Sequence, residues 1–146
     1  QLGVFGHGYT YGGHPVCAAV ACEAIRIYEQ DGLVERSATM GAYLGERLRT
    51  IAEHPLIGNI RGTGLMWGVE LVKDKASKTN YADAAKVGYR VSAACLERGV
   101  SIRPLGNVLS FSPALIIEQE QLDFAVDVFE SALNQVVLDL RRDGFA

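Results

Sequence analysis

The stretch His7-Gly8-Tyr9-Thr10-Tyr11-Gly12-Gly13-His14-Pro15 gathers residue types that can hold an anion. Glycines let the backbone turn tightly and present successive N–H groups, and the Thr10 hydroxyl adds one more donor, so such a loop suits a phosphate. Two common phosphate motifs do not fit. A dinucleotide fingerprint starting at Gly6 and Gly8 would need glycine at position 11, where Tyr11 stands. A P-loop would need a lysine after its glycines, and none follows. The residues alone leave two readings open: a phosphate loop, or a structural turn ahead of a helix. His7 and His14 flank the loop and read as its hydrogen bonders, not as metal ligands or bases.

Elsewhere the chemistry is sparse. Cys17, Cys22 and Cys95 form no C-x-x-C pair and have no histidine at zinc-ligand spacing, so no metal site is expected. An odd, sparse set of cysteines also argues against a disulfide framework and for a reducing, cytoplasmic setting. All three read as buried small apolar side chains. His54, before Pro55, reads as solvated, and Trp67 as core. Arg61 fits either a surface role or a tie from its glycine-rich turn to an adjacent domain. Asp83, Glu97 and the acidic residues from Glu118 onward fall on helix surfaces, and no carboxylate pair is placed for acid and base work.

A net charge of -3 lacks the electrostatic footprint of a nucleic-acid binder. The apolar stretches are interrupted within about ten residues, too short for a bilayer span. The 146 residues, 49% apolar and 21% charged, suffice for one globular core. The chain opens at Gln1 in an apolar, glycine-rich stretch and is expected to be a piece of a longer protein. Leu2, Val4 and Phe5 would then face a missing domain, with some tendency to self-associate.

These candidates need elements to position them. Pro15 suits the first turn of a helix, and Val16, Ala19, Val20, Ala24 and Ile27 follow at helical spacing. Asp31 is a candidate N-cap for a second helix, whose face is Leu33, Met40, Leu44, Leu48 and Ile51. Residues 65–72 alternate, with Leu65, Trp67, Val69 and Leu71 on one side, which predicts a strand. Residues 73–78 form a solvated loop. A third helix is expected over 81–98, with Ala84, Val87, Val91 and Cys95 inward and Gly99 closing it. Short strands are expected at 100–103 and 108–111, with Pro104 and Gly106-Asn107 in the turn. A last helix from Glu118 to about Leu140 carries the stripe Leu122, Val126, Phe129, Leu133, Val136 and Leu140, followed by a frayed end at 141–144. The fold class is therefore α+β, helices packed on a small, mainly antiparallel sheet.

Read together, several motifs carry a family resemblance. The loop Gly6 to Pro15 resembles the H-G-x-T-[YF]-[GS]-G-[HN]-P loop of class III aminotransferases, most like the omega-transaminases. Gly32-Leu33-Val34-Glu35-Arg36, Ile60 to Leu71, Gly99 to Pro104 and Ser112 to Ile116 follow in family order. Ala114 departs where a second proline is common, and Glu118 where the last helix often has a threonine cap. The resemblance implies the small C-terminal domain of a fold-type I, pyridoxal-phosphate-dependent transaminase acting as a homodimer with a missing large domain. It divides the chain into a phosphate loop at 1–15, linking helices at 16–54 and the small domain at 55–146. Thr10 would bind the cofactor phosphate of the partner subunit, with the Tyr9 backbone beside it. Arg103 would pair with the substrate carboxylate, a task guanidinium performs bidentately; otherwise it is a surface arginine at a strand end. The Schiff-base lysine of this family lies upstream of Thr10. Lys73, Lys75, Lys78 and Lys86 belong to no motif, so no catalytic residue is expected in this chain and the chain alone is expected to be inactive. An aminomutase or decarboxylase of the same fold, or a cofactor-free assembly module, remains the alternative.

Overall fold

The computed structural model describes Gly3 and residues 6–145. Leu2, Val4 and Phe5 lie outside the described residues. The chain separates into two compact units, Gln1–Val34 and Glu35–Ala146.

The first unit is a loop followed by helix α1, Pro15–Gln30, with Pro15 at its start. Pro15 fits there because the first helical N–H has no intrahelical partner to lose. The predicted apolar spacing does produce a helix, but none of its residues is buried in this chain. Cys17 and Cys22 are accordingly exposed, contrary to expectation, while Cys95 is buried. Asp31 does not open the second helix. It closes α1, its N–H donating to the Ile27 carbonyl at 2.9 Å, and Gly32 turns the chain at φ 60.

The second unit is a helical layer on a four-stranded sheet ordered β1-β2-β4-β3, every pairing antiparallel. Its elements are α2 (Leu33–Thr50), β1 (Ile57–Thr63), β2 (Met66–Leu71), α3 (Val87–Leu96), β3 (Arg103–Leu105), β4 (Val108–Phe111) and α4 (Gln119–Arg142). Both hairpins use two-residue loops whose first position is a glycine with positive φ, Gly64 at 50 and Gly106 at 62. Glycine reaches that conformation without a Cβ clash, and it matches the twist of antiparallel strands.

The predicted stripe of α4 is buried throughout, as are Leu44 and Leu48 of α2 and Ile51 just after it. They cover the sheet face formed by Trp67, Val69, Leu71, Leu109 and Phe111; the Phe111 and Phe129 rings meet edge to face at 5.2 Å. A Cβ on Gly45 would lie 2.3 Å from the Trp67 ring, so α2 can approach β2 only through glycine there. The Trp67 indole N–H donates to the Gly64 carbonyl at 2.8 Å, which satisfies its one polar atom. Across the helices, Tyr43 Oη and Arg47 Nε of α2 both donate to Asp123 Oδ1, at 2.6 and 2.7 Å.

Four local expectations are corrected. Residues 61–64 are expected as a glycine-rich turn, yet Ile57–Thr63 form β1, which pairs with β2 as an edge strand with a bulge near Gly58. The third helix starts at Val87, not at 81, because Lys86 adopts a left-handed conformation (φ 46) after a single 3-10 turn over Asp83–Ala85. Ala84 is therefore exposed, and Ala85 is buried in its place. Strand β3 begins at Arg103, and Pro104 sits inside it instead of in the turn. An edge strand tolerates that missing donor. The end of α4 is capped, not frayed. Gly144 N–H donates to Arg141 and Phe145 N–H to Leu140, and Asp143 pairs with Arg90 at 2.6 Å.

Candidate functional site

In the first unit, two consecutive turns shape the loop. The Gly12 N–H donates to the Tyr9 carbonyl at 2.9 Å and the His14 N–H to the Tyr11 carbonyl at 3.0 Å. Gly13 supplies the positive φ, 77, that the second turn needs at its third position. Thr10 lies at the first corner. It is exposed, and neither its hydroxyl nor its N–H bonds to a described residue. Tyr9 and Tyr11 are 76% and 74% exposed, with their rings edge-on to His7 and His14 respectively. The His14 carbonyl accepts from Ala18 N–H, so His14 serves the start of α1 through its backbone. A turn with an uncommitted hydroxyl and an uncommitted N–H is the donor set a phosphate oxygen requires.

In the second unit, Arg103 opens the edge strand β3. Its cross-strand partner is Ser110, which pairs with Gly68, which in turn pairs with Arg61. The four residues form one row, on the sheet face opposite the buried Trp67 and Phe111. Two arginines thus stand at the two edges of this face with small residues between them. Arg61 is paired with Glu70 at 2.7 Å, a bridge within the unit. Arg103 is exposed, and its guanidinium makes no hydrogen bond or ion pair with a described residue. An unsatisfied guanidinium on an exposed sheet edge is free to take a carboxylate in bidentate fashion.

The remaining candidates are structural. All four lysines are exposed; Lys75 donates to the carbonyl of Ala52, just past the end of α2, at 2.8 Å. His54 is half-buried instead of solvated, its Nδ1 accepting from the Leu56 N–H at 3.2 Å, and burial pushes its pKa below the ordinary value. Burial raises the Cys95 thiol to about 11, which makes it inert. No group of His, Cys, Asp or Glu among the described residues could hold a metal ion. A groove of about 460 Å³ in this unit lies between residues 99–102 and the start of α4. Its one charged lining residue is Glu120 and Arg103 is not part of it, so it lacks the cation a carboxylate needs.

Two residues that hold this region were not singled out by sequence reasoning. Arg36 donates to the Ile117 carbonyl at 2.7 Å and to Glu118 at 2.9 Å, fixing the segment that leads into α4. Its signal was present, since it ends the Gly32 to Arg36 motif. Ser92 donates to the Ile102 carbonyl at 2.7 Å, directly before Arg103. A lone serine on a helix gives no signal in the sequence.

The comparisons agree with the α+β fold. The model of the family Aminotransferase class-III matches residues 1–133. A diaminobutyrate–2-oxoglutarate transaminase of Halomonas elongata is 39% identical over 99% of this chain and 31% of its own length. The putrescine–pyruvate aminotransferase of Pseudomonas aeruginosa is 38% identical over 92% of this chain and 30% of its own. An isoleucine 2-epimerase of Lentilactobacillus buchneri is 44% identical over 89% of this chain and 29% of its own. Among solved structures, the omega transaminase of Pseudomonas jessenii in complex with PMP superposes with a TM-score of 0.84 at 39% identity, covering 94% of this chain and 30% of that one. The chain thus spans about 30% of the length of the relatives it matches. With residues 1–133 matched end to end and the α+β layer superposed, the chain belongs to the class III aminotransferases, a family of pyridoxal-phosphate-dependent enzymes.

Proposed function

We propose that this chain supplies two recognition elements of a transaminase that moves an amino group between an amine or amino acid and a keto acid. The loop at 1–15 contributes Thr10, with the Tyr9 backbone, to the phosphate of the cofactor bound in the partner subunit of a homodimer. The linking helices at 16–54 lead to the small domain at 55–146, which carries Arg103, and Arg103 meets the substrate carboxylate. The observation that carries this reading is the state of Arg103. Arg61, at the opposite edge of the sheet, is paired with Glu70, while the Arg103 side chain is uncommitted on the same face.

When bound, pyridoxal phosphate supplies the electron sink that amino-group transfer needs. The residues here bind and orient. Thr10 donates its hydroxyl and N–H to a phosphate oxygen. Arg103 fixes the carboxylate end of an acid substrate and, being a long side chain at an exposed edge, turns away when a carboxylate-free amine takes the same place. No residue of this chain moves the proton. The four lysines stand on exposed positions of the second unit, and none lies in the loop that would meet the cofactor. The chain by itself is therefore inactive.

The test is Arg103→Ala in the full-length enzyme, with each half-reaction followed separately. Turnover of keto acids should fall more than that of carboxylate-free amines. An equal loss for both classes would make Arg103 structural. A second reading, epimerisation at the α-carbon, is supported by the 44% identity to isoleucine 2-epimerase. Inversion of an amino acid with no keto acid present, and no amine transfer to pyruvate, would favour it.

A further inference from the structure

We infer that helix α3 aims Arg103, with Ser92 as its positioning residue. This rests on the reading that Arg103 meets the substrate carboxylate, and it adds what holds the arginine in place.

Strand β3 has little hold of its own. It is three residues long, lies at the sheet edge, pairs only with β4, and carries Pro104, which donates nothing to the ladder. Helix α3 compensates at three points. First, its end is closed by a paired cap: Gly99 N–H donates to the Leu96 carbonyl and Val100 N–H to the Cys95 carbonyl, both at 3.0 Å, with Gly99 at φ 86. This fixes the direction in which the chain leaves the helix toward Arg103. Second, the Ser92 hydroxyl donates to the Ile102 carbonyl at 2.7 Å. That carbonyl and the Arg103 nitrogen belong to one planar peptide unit, so the bond sets the plane from which the Arg103 side chain departs. Third, α3 touches the far end of the hairpin. A Cβ on Gly88 would lie 2.1 Å from the Gly106 carbonyl oxygen, so helix and turn are in direct contact there.

Of the three, Ser92 is the only side chain, and it is half-buried, where an unmade bond is not fully replaced by water. Without it, the Ile102–Arg103 peptide plane can tilt, and the length of the arginine multiplies the tilt at the guanidinium. The expected effect falls on carboxylate substrates alone.

The experiment compares Ser92→Ala, Ser92→Thr and Arg103→Ala in the full-length enzyme loaded with pyridoxal phosphate. Ser92→Ala should raise KM for a keto acid such as pyruvate by about threefold to tenfold, the worth of one hydrogen bond. KM for a carboxylate-free amine should stay unchanged, and Ser92→Thr, which keeps the hydroxyl, should restore the keto-acid value. A second readout needs no cofactor. In the 146-residue chain, amide hydrogen exchange over residues 100–106 should speed up in Ser92→Ala while residues 126–133 of α4 keep their protection. If Arg103→Ala is selective for keto acids but Ser92→Ala is not, or if exchange over 100–106 is unchanged, the positioning role is overturned and the reading of Arg103 stands. If Arg103→Ala lowers both substrate classes equally, the reading of Arg103 falls, and this inference with it.

Discussion

Helices α1 and α4 have the same kind of sequence and opposite fates. Both place apolar residues at helical spacing, and both form helices. Yet α4 buries eight residues, while α1 buries none. Val16 and Val20 of α1 are 64% and 65% exposed, and Phe129 of α4 is fully buried. Periodicity specifies a helix and an apolar face; it does not specify what covers that face. The second unit covers its own faces with a sheet. The first presents a helix with no buried residue and a turn in which the Thr10 hydroxyl and N–H bond to no described residue. In our reading, the second unit is where the chain's stability resides and the first is where it meets other surfaces, the partner subunit's cofactor among them.

The largest expected effects test that division. Phe129→Ala should destabilise the second unit by about 3–5 kcal/mol, the usual loss for a buried phenylalanine, whereas Val20→Ala should stay within about 0.5 kcal/mol. Urea unfolding of the chain measures both, and a comparable loss from Val20→Ala would erase the contrast. Glycines give a smaller contrast. A Cβ on Gly41 would lie 2.0 Å from the Gly64 carbonyl oxygen, whereas one on Gly8 would meet nothing within 4 Å. Gly41→Ala should therefore cost about 1–3 kcal/mol and Gly8→Ala almost nothing. A tolerated Gly41→Ala would show that α2 and the β1–β2 turn are less closely packed than described.

Acid sharpens the contrast further. The Tyr43 hydroxyl, and then the Arg47 guanidinium, hold the Asp123 carboxyl below its ordinary value. In the unfolded chain it titrates near about 3.9. The stability it adds is present above that value and is lost as pH falls through the lower, folded one. Unfolding of the second unit should therefore become easier below about pH 4. Asp123→Asn should flatten that dependence, and an unchanged pH profile would remove the α2–α4 pair from the stability of this unit. The mildest test is chemical. A thiol reagent should label Cys17 and Cys22 quickly and Cys95 only after denaturation, because Cys95 is buried and its pKa lies near 11. Mass spectrometry of the labelled peptides decides it.

What the sequence disclosed follows the same physics. Long helices and the alternating strand β2 were legible because burial imposes their periods. Strand β1 was not. Its run Ile57-Gly58-Asn59-Ile60-Arg61-Gly62-Thr63 is mostly exposed, and only pairing with β2 makes it a strand. The helix expected over 81–98 was too long because local composition cannot show that Lys86 turns left-handed. Strand β3 was placed too early because residues 100–102 complete the α3 cap and receive Ser92, contacts distant from any local pattern. Of the candidate site, Thr10 and Arg103 are proposed from motifs. Ser92 was not legible in the sequence, since its role lies in one hydrogen bond across ten residues.

The most direct test of the first unit as a binding surface is cofactor affinity in the full-length protein. Thr10→Ala removes the hydroxyl that we propose meets the phosphate and leaves the backbone turn in place. Titration of the cofactor-free protein with pyridoxal phosphate should show binding weakened by about 1–3 kcal/mol, roughly 5- to 150-fold, as for a lost bond to a charged group. Unchanged affinity would contradict the assignment and leave the loop a structural turn ahead of α1.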